Sequence, residues 1–227
     1  MDADRIVNTL LEAWTKEDWH WAYDQAERVL QVLYEIYDQV RSKELAAEDA
    51  MKVANERLST EPVPVRFVND YELFRGNKNS QAFYSGRTRS ISLGSHLFQL
   101  PPSQRLFGII VHELVHFLQH KKSGFTTRVK GSRRLPYLEK PEEMTAHLAG
   151  EVATQGAAGG TDFIHSLLRS DTTRIKGKAK NRWLSTVARH GSSLADVDRE
   201  RFSTNPLRMR SMAFTDRMRR KPTAIEP

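Results

Sequence analysis

Two histidines four residues apart, with a glutamate directly after the first, sit inside the apolar run Phe107-Gly108-Ile109-Ile110-Val111-His112-Glu113-Leu114-Val115-His116-Phe117-Leu118-Gln119-His120. Positions i and i+4 of an α-helix lie one turn apart on the same face, so both imidazoles can bind one metal ion. Glu113 can reach a water on that metal, an arrangement suited to making hydroxide near neutral pH. A buried helix with two incidental histidines is the competing reading. It would put three polar groups into an otherwise apolar segment, where each would need a partner. The chain has no cysteine, so any zinc has to be held by histidine and carboxylate.

The periodicity before this run is helical. Ile6, Val7, Leu10, Leu11 and Trp14 form one stripe over residues 3–14. Thr15-Lys-Glu-Asp18 reads as a capping box that opens a second helix, with Ala26, Val29, Leu30, Leu33, Ile36, Tyr37 and Val40 inward. A third helix is expected from Leu45 to Leu58. Trp14, Trp19, Trp21 and Tyr23 could form a stacking platform, but their acidic surroundings repel nucleic acid, so they are read as core.

Thr60-Glu-Pro-Val-Pro64 ends the helices, because proline cannot continue one. Three short strands are expected next, at Val65–Asn69, Gln81–Ser85 and Arg89–Gly94, the last two joined by a turn at 85–88. Ser103 is the expected N-cap of the motif helix, which runs to about Lys121 before Gly124 closes it. Phe125–Leu135 is a basic, irregular stretch that reads as a solvated loop or as a rim over a cleft. A further helix opens at Pro141, since proline suits a first turn and the carboxylates of Glu142 and Glu143 suit the positive helix end. Glu142, Glu143 and His147 all lie on it, and proximity alone does not choose a third ligand among them. His120 and His147 are expected at the surface or behind the ligands.

His112, Glu113 and His116 resemble the His-Glu-x-x-His motif of the zincin metallopeptidases. Tyr137, Pro141, Glu143 and Ala146 match the Y-x(3)-P-x-E-x-x-A pattern of the third-ligand helix in short gluzincins. The metzincin branch would need glycine at position 119 and histidine at 122, where this chain has Gln119 and Lys122. The resemblance covers roughly residues 61–155. It implies an α+β fold in which a minimal zincin-like core, a small sheet with a motif helix and a third-ligand helix, occupies residues 61–170. An N-terminal helical region (1–60) and a basic C-terminal extension (171–227) flank it. It further implies Zn2+ held by His112, His116 and Glu143, with Glu113 as general base and Tyr137 as a second oxyanion donor. By position, the edge strand that binds the substrate backbone would be Ile91, Ser92 and Leu93.

The net charge of +7 is unevenly placed, with acidic residues 1–60 and a basic stretch from about Arg174 onward. Two function classes follow. One is a zinc metalloendopeptidase acting on a protein or peptide. The alternative is a nucleic-acid-associated or virion structural protein with a vestigial or purely structural zinc, because clustered Lys and Arg bind polyanions. The intact Glu113 argues against the latter, since a structural zinc has no need of a base. A third reading joins the two, as a protease brought to its substrate by the basic tail; a solvated tail is the plainer reading. No run is long enough to cross a bilayer, and Met-Asp-Ala-Asp-Arg lacks the basic start of a signal peptide, so a cytoplasmic protein is expected.

Overall fold

The computed structural model describes residues 14–59, 65–74, 81–122, 136–169, 175 and 177–202. The expected helix over 3–14, except Trp14, lies outside these residues, as do Gly124, the stretch 125–135 and everything after 202.

Helix α1 (Lys16–Ser42) opens at the expected capping box: the Asp18 N–H donates to Thr15 Oγ1 at 3.4 Å, and the Thr15 N–H donates to Asp18 Oδ2 at 2.7 Å. Its apolar stripe is fully buried at Trp19, Tyr23, Leu30, Leu33 and Ile36, so the aromatic residues at 19 and 23 are core, as expected. Each such side chain contributes about 1.5–3 kcal/mol on burial. Helix α2 (Ala47–Ser59) returns along α1 and inserts Ala50, Ala54 and Leu58.

The chain is mixed α/β, and among the described residues there is one small three-stranded sheet: β1 (Val65–Val68), β2 (Ala82–Ser85) and β3 (Ser90–Gly94), in the order β1-β3-β2. A short helix, α3 (Asp70–Phe74), follows β1. β3 pairs with β1 in parallel and with β2 antiparallel. Ile91, Ser92 and Leu93 are therefore central and fully buried, which corrects the expectation that they form an edge strand. Both backbone edges of β3 are already bonded, so no peptide can add there. The sequence order of the strands hid this, because β3, the last of the three in sequence, inserts between the first two. The outer edge of β1 is capped as well: Asn55 of α2 donates to the Phe67 carbonyl at 2.9 Å and accepts from the Phe67 N–H at 2.7 Å. β2 carries the remaining edge.

A 3-10 turn (Ser95–Gln99) leads to α4 (Gln104–Lys122), whose Ser103 cap accepts from the Leu106 N–H at 3.2 Å. A second 3-10 turn (Tyr137–Glu139) precedes α5 (Pro141–Arg169), with Pro141 in its first turn as expected. The glycine-rich stretch after Gln155 interrupts α5 only at Gly156 (φ 79°, ψ 171°), beyond which the helix resumes. Gly156 suits this because a β-carbon there would be strained.

The short helix-compatible stretch around Trp183 to Ala188 lies inside helix α6 (Gly177–Phe202), which also takes in flanking residues where a solvated tail was expected. Ala179, Trp183, Thr186, His190, Leu194 and Val197 recur at three- and four-residue spacing and are all buried against the rest of the molecule. Two polar members, Thr186 and His190, conceal this stripe from a hydropathy reading. The core is continuous from α1 through the sheet and α4 to α6. Among the described residues no helix is long and apolar enough to cross a membrane.

Candidate metal centre

The site forms where α4 crosses α5, and two glycines set how closely they cross. A β-carbon on Gly108 would lie 1.9 Å from Thr154 Oγ1 and 2.4 Å from the Gly150 carbonyl oxygen; one on Gly150 would lie 3.2 Å from His112 Cβ. The helices thus meet backbone to backbone, which brings the start of α5 over the His112–His116 face of α4.

There the side chains of His112, His116 and Glu143 converge. His112 Nε2 and His116 Nε2 are 3.1 Å apart, and Glu143 Oε2 lies 3.2 Å from His116 Nε2 and 3.5 Å from His112 Nε2. Around a tetrahedral ion with bonds of about 2.0–2.1 Å, ligand atoms are separated by about 3.3 Å. The triangle has that size, and this group can hold a metal ion. Each side chain retains 12–15% exposure, so the group is sheltered but reachable from solvent. No other set of three such side chains converges in this way among the described residues.

The electrostatics fit a cation. Burial opposes charge on His116, but the adjoining Glu143 carboxylate outweighs it and raises the imidazole to about 9. Burial likewise disfavours the Glu143 carboxylate, yet hydrogen bonds and charge from His112 and His116 hold it well below the usual range. Without a metal, a proton on His116 balances Glu143; a divalent ion would replace it.

The other expected residues take separate places. Glu113 is not a member of the group. Its Oε2 accepts the backbone N–H of Tyr84 on β2 at 2.6 Å, and its charge acts on His116 and Tyr137. Tyr137, half exposed, brings its hydroxyl to 3.5 Å from His112 Nε2; burial and the nearby Glu143 charge push its pKa far up, so it stays a proton donor. His147 does not join the group. Its ring packs edge-on against His112 with centroids 4.7 Å apart, and burial with the His112 charge lowers it to about 4. Glu142 contributes only its carbonyl, which accepts from the Gln119 side chain. His120 shares a hydrogen bond with the Tyr84 hydroxyl at 2.6 Å, so Tyr84 is tied to α4 at both Glu113 and His120.

Three participants were missed in the sequence. Gln119 lies three residues after His116, on the same helix face, and that spacing could have found it. Tyr84 and Trp183 come from distant parts of the chain and left no local signal; the Trp183 indole N–H donates to the Leu138 carbonyl at 2.8 Å and so holds the turn carrying Tyr137.

Comparison of the chain with protein-family models, with curated proteins and with solved structures yields no match.

Proposed function

We propose that the chain is a zinc-dependent metallopeptidase, built on a minimal zincin-like core of β1–β3, α4 and the first half of α5. The observation that carries this reading is the His112-His116-Glu143 triangle with Glu113 beside it, held to the sheet rather than to the group. A structural site would have no use for that fourth residue.

Two nitrogens and one carboxylate oxygen, with no sulfur, suit zinc with one position left open, the arrangement of a catalytic rather than a closed structural site. Bound there, zinc would lower the pKa of a water and polarise the scissile carbonyl. Glu113 takes the water's proton during attack and returns it to the leaving amine nitrogen. Its Oε2 is engaged by Tyr84, which leaves Oε1 for the proton. The Tyr137 hydroxyl donates to the oxygen that gains negative charge.

The peptide lies along β2 instead of β3. The Gly94 N–H donates to the Gln81 carbonyl across the pair, so residues 81 and 83 face β3 and the backbone of Ala82 and Tyr84 points outward. An extended peptide adds to that edge through the Ala82 backbone and the Tyr84 carbonyl, since the Tyr84 N–H is already donated to Glu113.

The test is turnover of fluorescein-labelled casein and of a mixed peptide library by zinc-loaded protein and by its Glu113→Gln variant. Cleavage by the wild type, with at least about a hundredfold loss in a variant that keeps its zinc, is expected from removing a general base. Equal turnover by both proteins would refute the mechanism.

A further inference from the structure

Gln119 is buried at the far end of α4, and both ends of its amide are used. Its Nε2 donates to the backbone carbonyl of Glu142 at 2.8 Å, and its Oε1 lies 3.0 Å from His116 Nδ1. A backbone carbonyl only accepts, so the amide nitrogen must face Glu142 and the amide oxygen must face His116. An amide oxygen also only accepts, which requires His116 Nδ1 to carry a proton. The lone pair of neutral His116 is then on Nε2, the atom that faces His112 Nε2 and Glu143 Oε2.

We propose that Gln119 is the positioning residue of this metal centre. One side chain fixes the tautomer and ring plane of His116 and ties α4 to the first turn of α5, one residue before Glu143. The proposal rests on the metal-site reading above and deepens it. The amide couples two ligands that the chain supplies from different helices. His112 packs against the His147 ring, with centroids 4.7 Å apart. Glycine at this position would remove both bonds.

Partners of this kind orient metal-binding histidines, and their loss costs about 10–100-fold in metal affinity. The experiment has two parts. Zinc affinity of the full chain and of Gln119→Met, which keeps the length of the side chain without its polar atoms, is measured by competition with a chromophoric chelator. The unfolding midpoint of each metal-free protein is recorded alongside. In parallel, long-range proton–nitrogen NMR on the zinc-loaded wild type reads the His116 tautomer directly, so the proposal stays testable if Gln119→Met does not fold.

The expected results are a proton on His116 Nδ1 with zinc on Nε2, and a dissociation constant raised about 10–100-fold in a variant that still folds without metal. Coordination through Nδ1, or an affinity within about threefold of wild type, overturns the role of Gln119 while leaving the metal centre standing. A wild-type protein that takes up no zinc overturns both.

Discussion

Replacing Gly108 by alanine tests how the site is assembled, because helix propensity and packing predict opposite signs. Alanine is favoured over glycine inside a helix by about 0.8–1.0 kcal/mol, so an unobstructed Gly108→Ala would stabilise the protein. The new methyl would instead sit 1.9 Å from Thr154 Oγ1 and 2.4 Å from the Gly150 carbonyl oxygen. Thr154 can turn away by giving up its 2.7 Å hydrogen bond to that carbonyl, but the carbonyl belongs to α5 itself. Restoring ordinary contact therefore requires α4 and α5 to part by about 1 Å. Overpacking of this kind costs about 1–3 kcal/mol, which leaves a net loss of up to about 2 kcal/mol. Parting also lifts Glu143 from the two histidines, so zinc affinity should fall at least about tenfold, or 1.4 kcal/mol. Urea denaturation of the metal-free protein and a zinc competition titration measure the two effects. Gly150→Ala is a milder companion, since its closest contacts are 3.0 and 3.2 Å. A Gly108→Ala protein at least as stable as wild type, with unchanged zinc affinity, would refute the close crossing as the element that sets the site.

Zinc binding at pH 7.5 should release about one proton per ion, because His116, raised to about 9, must give up its Nε2 proton; calorimetry in buffers of different ionisation enthalpy measures this. The same ion pair shapes the stability of the metal-free protein. The raised His116 contributes fully below its ordinary 6.5 and loses that contribution as pH rises through about 9, whereas the depressed Glu143 contributes above its ordinary 4.5 and loses it in acid. Denaturation midpoints should thus be highest between about pH 4.5 and 6.5 and fall as pH rises toward 9. Tyr137→Phe should leave zinc content unchanged and lower kcat, by about tenfold or more, if its hydroxyl serves the oxyanion; an unaltered kcat would remove that role. Trp183→Phe drops the bond to the Leu138 carbonyl and leaves a cavity where the indole was buried, costing more than the about 0.5–1.5 kcal/mol of the bond alone in denaturant titrations and reducing kcat through Tyr137.

Local chemistry made much of this legible. The Thr15 and Ser103 caps, the i, i+4 histidines and Pro141 in a first turn depend on residues within one or two helical turns, and all were readable from spacing. Glu143 was different: the residues alone left it level with Glu142 and His147, and only the likeness of Tyr137, Pro141 and Ala146 to a third-ligand helix singled it out. In the folded chain Glu143 is the member of that trio whose carboxylate meets the histidines. What was misplaced depends on tertiary pairing. Strand insertion moved the free edge from Ile91–Leu93 to β2, and no local pattern records which of two neighbouring strands lies outermost. Helix α6 was legible only as a short stretch around Trp183 to Ala188; its full length was obscured because its buried stripe includes Thr186 and His190 amid many cations.

The account depends first on which side chains hold the ion, and zinc content in folded single variants measures that directly. Wild type, Glu142→Gln, Glu143→Gln and His147→Ala are loaded with zinc, dialysed and assayed for metal, with circular dichroism to show that each is folded. One zinc per chain in every protein except Glu143→Gln is the predicted result. Full retention by Glu143→Gln, with loss in Glu142→Gln or His147→Ala, would contradict it.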